Sequence, residues 1–266
     1  MSLQQIEQSD PKYTQDGLSL LTVHSSALKG RGNIACYNAF SDARDIPIVI
    51  LLHGVYGNHW VWMNLGGVDR VYDRLRASAD IGEMLLVMPE DGSYYAGSGY
   101  LPLSHGPNAE RWIVEDCLEA VLRSIPCVSE RSNVYISGLS MGGYGALRLG
   151  AKYPGRFKGI SAHSAITRLD EMALFVDEDL SLYQCGHPKE ADLRYWTQEN
   201  LHQLPPIRLD CGEDDDLRGG NVEYSRLLDQ LGKSHDFQLL PGGHEWPYWH
   251  RAVERTFRFL SDLEYI

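Results

Sequence analysis

A serine set between glycines, Gly138-Leu-Ser-Met-Gly142, directly follows the apolar run Asn133-Val-Tyr-Ile-Ser137. A buried strand that ends in a sharp turn and restarts as a helix would lift the Ser140 hydroxyl clear of the backbone. Gly138 and Gly142, lacking a Cβ, let such a turn tighten and the helix press close. A serine hydroxyl is a weak nucleophile near neutral pH and needs a base to take its proton. The base in turn needs an acid that holds its tautomer and stabilises the imidazolium. Downstream, in that order, stand Glu213-Asp-Asp-Asp216 and Pro241-Gly-Gly-His-Glu245. His244 is the candidate base. Asp215 lies among the candidate acids, and the local pattern does not distinguish it from Glu213, Asp214 or Asp216. Together these residue types would support acyl transfer through an acyl-serine. Two backbone N–H groups would receive the oxyanion: that of Met141, and that of Val55 in His53-Gly-Val-Tyr-Gly57, where Gly54 allows the turn.

The chain has ten histidines. His24, His105, His187 and His202 fall in loops or at strand ends with no serine context, His163 follows a strand near the site and reads more readily as a core histidine than as one lining the site, and His53 reads as the residue that orders its own turn. Trp60 and Trp62 follow the Val55 turn, and Tyr94, Tyr95 and Tyr100 follow the run Met84–Met88. These five aromatics are candidates to wall a compact acyl or aryl pocket. No His-Glu-x-x-His pair and no alternating calcium-loop spacing occurs, so neither a metal nor an organic cofactor is expected.

These residues need a scaffold that ends strands side by side. Short apolar runs alternate with longer helical patterns, which predicts an α/β fold with a mostly parallel twisted sheet and helices on both faces. Leu18–His24 and Asn33–Ala39 read as an early hairpin pair. Pro47–Leu52, Met84–Met88, Val134–Ser137, Gly159–His163, Ile207–Cys211 and Phe237–Leu240 read as the remaining strands. Helices are expected at about 67–79, 108–125, 141–153, 220–232 and 246–263. Asp215 and His244 then both follow carboxyl ends of strands, where open α/β sheets place their sites. The segment 169–202 breaks the rhythm; it reads as a small cap or a surface excursion, more readily the latter, with no catalytic role.

At 266 residues, 43% of them hydrophobic, the chain suits one α/β domain over 1–266. A net charge of −12 argues against nucleic acid or an anionic membrane surface as partner. No apolar run approaches membrane-spanning length. The start, Met1-Ser-Leu-Gln-Gln-Ile-Glu7, has neither a basic nor an apolar leader region, so no secretory signal is expected. Five scattered cysteines without a Cys-x-x-Cys pair lead to an expectation of reduced thiols in a cytoplasm.

Four stretches bring a resemblance into view: Leu51-Leu-His-Gly-Val-Tyr-Gly57, Ser137-Gly-Leu-Ser-Met-Gly-Gly-Tyr-Gly-Ala146, Cys211-Gly-Glu-Asp-Asp-Asp-Leu217 and Gly242-Gly-His-Glu-Trp-Pro-Tyr-Trp249. In these the chain resembles the putative-esterase, or esterase D-like, family of α/β-hydrolases. That family includes S-formylglutathione hydrolases, esterases of the tributyrin type and feruloyl esterases. The resemblance implies Ser140 as nucleophile, His244 as base and Val55 and Met141 as oxyanion residues. It also selects Asp215 as the acid, three residues after the glycine of the family's Cys-Gly-x-x-Asp pattern. Asp216 departs from that pattern, where the family often has an apolar residue. The activity implied is hydrolysis of short-chain acyl or aryl esters. An S-formylglutathione thioesterase and an acyltransferase to a sugar or alcohol are the alternatives, and a non-catalytic binding protein fits poorly with an intact serine and histidine. Self-association into dimers or tetramers is also implied by the resemblance alone.

Overall fold

The computed structural model describes residues 3–265; Met1, Ser2 and Ile266, which the expected domain span and the reading of the N-terminus include, lie outside them. The apolar runs form strands β2 (Leu18–Ser25), β3 (Gly30–Tyr37), β4 (Ile48–Leu52), β5 (Leu85–Pro89), β6 (Val134–Leu139), β7 (Ile160–His163), β8 (Ile207–Gly212) and β9 (Asp236–Leu240). An unexpected strand, β1 (Leu3–Gln8), precedes them and pairs antiparallel with β2. Its glutamines mask any alternation, and being at the sheet edge it needs little apolar signal.

The sheet order is β1-β2-β3-β5-β4-β6-β7-β8-β9. The first three strands and the β3–β5 pair run antiparallel, and pairing is parallel from β5 through to β9. All five residues of β4 are buried because both faces of the sheet are covered. Alternation sends Ile48, Ile50 and Leu52 into one core and Val49 and Leu51 into the other.

Eight α-helical segments are present among the described residues: α1 (Val61–Asn64), α2 (Val68–Ala77), α3 (Ala109–Arg111), α4 (Leu118–Ser124), α5 (Met141–Lys152), α6 (Leu193–Glu199), α7 (Arg218–Gln230) and α8 (Trp246–Glu264). α2 and α8 cover one face through Val71, Leu75, Val253 and Phe257. α4, α5 and α7 cover the other through Val121, Leu147 and Leu228. The helix expected at 108–125 is interrupted by a π-turn at Trp112–Cys117. Within it the fully buried Asp116 accepts a hydrogen bond from the Ser25 hydroxyl, and Trp112 Nε1 donates to the Glu90 carbonyl at 2.8 Å.

The 169–202 segment is built from 3₁₀ turns and α6. It is fastened to the loop after β5: the Ala96 N–H donates to Glu178 at 2.8 Å, and the Ser104 N–H to the Gln184 carbonyl at 2.9 Å. All five cysteines are unpaired. No helix among the described residues is long and apolar enough to cross a membrane.

Candidate active site

β6 delivers Ser140 to a turn that only glycine neighbours permit. A Cβ on Gly138 would sit 2.2 Å from the Gly142 carbonyl oxygen, and one on Gly142 would sit 2.2 Å from that of Leu52. Ser140 itself has φ 55° and ψ −120°, a conformation costly for a residue with a side chain, on the order of 1–3 kcal/mol. The surroundings hold it there. Its N–H donates to the His163 carbonyl at 3.0 Å, and its own carbonyl accepts from Ile166 N–H and Tyr144 N–H, each at 3.1 Å.

The histidine and acid loops are stitched to one another through the backbone. Glu213 N–H donates to the Leu240 carbonyl at 2.9 Å and Asp214 N–H to that of Gly242 at 3.0 Å. A Cβ on Gly212 would meet the Gly242 oxygen at 2.3 Å, so the close approach requires glycine. This brings His244 Nδ1 to 3.0 Å from Asp215 Oδ2, and Nε2 to 2.9 Å from Ser140 Oγ. Since a carboxylate only accepts, Nδ1 carries the proton; Nε2 is then the acceptor and the Ser140 hydroxyl the donor. Among the four carboxylates at 213–216 Asp215 alone is buried. That burial works to raise its carboxyl, but the His244 hydrogen bond and charge and the Leu217 N–H outweigh it, holding Asp215 below the usual carboxylate range.

The turn after β4 lies directly against the serine: a Cβ on Gly54 would be 3.2 Å from Ser140 Cβ. The Gly54 carbonyl accepts from His53 Nδ1 at 2.7 Å and from Gly57 N–H at 3.2 Å. In a planar trans peptide the Val55 N–H points opposite to that carbonyl. Met141 is the first residue of α5, where an N–H has no carbonyl of its own helix to meet.

The five expected pocket aromatics separate into two groups. Trp60 and Tyr95 are exposed, and Tyr94 packs edge-on to Tyr95 with ring centroids 4.8 Å apart. Trp62 and Tyr100 are 1% and 0% exposed and so have no surface to wall an open pocket. Their polar atoms point inward: Trp62 Nε1 donates to the Leu52 carbonyl at 3.1 Å and Tyr100 OH to that of His53 at 3.0 Å. Spacing after a strand end cannot separate a rim aromatic from a core one.

One contact at the site had no sequence signal, and one expected core histidine gains its partners. Phe175, from the 169–202 segment, stacks on the His244 ring with centroids 4.6 Å apart and planes 25° from parallel, while Trp249 meets the same ring edge-on at 4.9 Å. The segment is therefore part of the site's walls and more than a surface excursion. Beneath it, His163 Nδ1 lies 2.9 Å from Asp210 Oδ2 and Nε2 lies 2.8 Å from Thr256 Oγ1. Asp210 also binds Arg208 and the Tyr248 hydroxyl, tying α8 to β7 and β8. Burial opposes the Asp210 charge, but His163 and Arg208 beside it prevail and hold the carboxyl far below its usual range.

A mostly parallel sheet covered on both faces, with a serine at the strand-to-helix turn, is the α/β-hydrolase architecture, and solved structures share it. The chain superposes on a ferulic acid esterase with a TM-score of 0.79 at 23% identity, covering 97% of this chain and 98% of that one. With an S-formylglutathione hydrolase from Staphylococcus aureus the TM-score is 0.76 at 20% identity, over 92% and 98% of the two chains. Residues 25–260 match the model of the esterase family described as Putative esterase, and the chain belongs to that family. It is 25% identical to an acetyl esterase of Caldicellulosiruptor saccharolyticus over 84% of this chain and 86% of that one. It is 24% identical to an esterase of Mycobacterium tuberculosis, of which it spans about half, 52%. Family and fold make the protein, in general terms, an esterase-type serine hydrolase.

Proposed function

We propose that the protein is a serine carboxylesterase that cleaves short-chain acyl or aryl esters through an acyl-serine. The observation that carries this reading is the hydrogen-bonded series Asp215–His244–Ser140 on a serine of positive φ. In the first half-reaction His244 Nε2 takes the Ser140 proton as Oγ bonds to the ester carbonyl carbon. The carbonyl oxygen gains the electron pair and rests on the Val55 and Met141 N–H groups. Collapse breaks the bond to the alcohol oxygen, which leaves with the proton held by His244. Water then repeats the sequence on the acyl-serine, releasing the acid and restoring the serine. Asp215 keeps the imidazole oriented throughout.

The acetyl esterase relative, matched over most of both chains, supports a short acyl group. The test is hydrolysis of p-nitrophenyl esters from acetate to decanoate, with S-formylglutathione in the same panel and Ser140→Ala as control. A maximum at the short esters is expected, with turnover abolished in the folded Ser140→Ala protein. Substantial turnover by pure Ser140→Ala overturns the reading, as does a maximum at decanoate or on the thioester.

A further inference from the structure

Three successive carbonyls, from the last residue of β4 into the turn that follows, are each held by a side chain. The Leu52 oxygen accepts from Trp62 Nε1, the His53 oxygen from Tyr100 OH, and the Gly54 oxygen from His53 Nδ1. Gly54, without a Cβ, imposes little preference of its own on the two peptides that flank it, so these hydrogen bonds and that of the Gly57 N–H on the Gly54 oxygen hold them. Tyr100 is unusually well fixed for the task. It is fully buried with φ 54°, and its carbonyl accepts from Arg148 Nη2 at 2.7 Å. Arg148, also fully buried, is paired with Glu110 at 2.7 Å. The Tyr100 ring occupies space left by Gly145 of α5, where a Cβ would fall 2.6 Å from Tyr100 Cδ2.

We propose that Tyr100 is a positioning residue for the oxyanion donor: its hydroxyl pins the His53 carbonyl and so fixes the residue whose Nδ1, together with the Gly57 N–H, holds the Gly54 oxygen and with it the direction of the Val55 N–H. The inference rests on the esterase reading above, in which Val55 receives the oxyanion. A tyrosine on the loop after β5, braced by the Arg148–Glu110 pair, thus controls a group on the loop after β4 without touching substrate.

Tyr100→Phe removes the hydroxyl and keeps the ring. Its kcat and KM are to be measured on an aryl acetate and on the matching thionoacetate, whose sulfur is a poor acceptor for oxyanion donors. Complete loss of one donor costs on the order of 10²–10³ in turnover, so a displaced donor should lower kcat on the oxoester about tenfold. KM should stay within about twofold, and the thionoester should lose less, so that the oxo-to-thiono ratio falls. An unchanged kcat, or equal losses on both esters, overturns the proposal, since a merely structural defect lowers both alike. Should Tyr100→Phe not fold, Gly145→Ala displaces the ring from the α5 side and reads the same ratio. Failure of the esterase reading shows separately, as hydrolysis by wild type that survives Ser140→Ala.

Discussion

Asp215→Asn has an effect that the local geometry specifies atom by atom. The Asp215 side chain has no exposed surface, its Oδ1 accepts from Leu217 N–H at 2.9 Å, and its Oδ2 lies 3.0 Å from His244 Nδ1. An asparagine here must keep its carbonyl oxygen on the Leu217 N–H, because its NH₂ would otherwise confront a donor. The NH₂ then faces Nδ1, which must become the acceptor, so the ring proton moves to Nε2. The 2.9 Å contact with Ser140 Oγ reverses, with the imidazole now donating and unable to take the serine proton. Such a tautomer reversal costs on the order of 10⁴ in kcat in a serine protease, about 5 kcal/mol of barrier. The assay is p-nitrophenyl acetate hydrolysis with thermal melts, alongside Asp214→Asn and Asp216→Asn. These two carboxylates are exposed and should change kcat by less than about twofold. Retention of more than about a tenth of wild-type kcat by Asp215→Asn, or a larger loss in either neighbour, refutes the reasoning.

Gly142→Ala places a methyl 2.2 Å from the Leu52 carbonyl oxygen; a melt should show destabilisation of at least about 1–3 kcal/mol, together with loss of esterase turnover. Phe175→Ala removes the ring stacked on His244, a contact worth about 0.5–1.5 kcal/mol. A fall of about 2- to 10-fold in kcat/KM is expected, and an unchanged value would deny Phe175 any part in the site. Asp210→Asn leaves the buried Arg208 without its anion and should cost about 3–5 kcal/mol by denaturant titration. Because Asp210 and Asp215 are both held below their unfolded values, their stabilisation is complete above the unfolded aspartate pKa of about 4. It is lost as pH falls through the lower folded values, so the melting temperature should decline below about pH 4, and Asp210→Asn should flatten that decline.

Much of the sheet is legible in the chain because strands buried on both faces, such as Ile48–Leu52 and Leu85–Pro89, are continuous apolar runs. The edge strand β1 escapes, since exposed glutamines carry no pattern. The serine turn is legible for a different reason: Gly138 and Gly142 are demanded by backbone contacts under 3 Å, so the glycines themselves record the close approach. The same holds for Gly212, while Gly242 in the turn before His244 records a positive φ of 129°. The acid is only half legible. Four adjacent carboxylates look alike along the chain, and what distinguishes Asp215 is burial against His244, a contact across 29 positions.

Phe175 and Tyr100 mark where local pattern ends. Phe175 sits in a segment of short turns with no period, and reaches His244 only because that segment is fastened to the loop after β5. Tyr100 and Trp62 are aromatics after strand ends, equally compatible with a pocket rim and with the core, until packing against Gly145 and hydrogen bonds to the Leu52 and His53 carbonyls turn them inward. The chain by itself therefore determined most of the strands, the serine turn and the histidine loop, because these depend on near-neighbour sterics and periodic burial. Tertiary structure alone decided which aromatics and which faces of the histidine are engaged, and it set Asp215, which the family resemblance singled out, apart from its neighbours by burial against His244, because those contacts depend on distances between residues far apart in sequence.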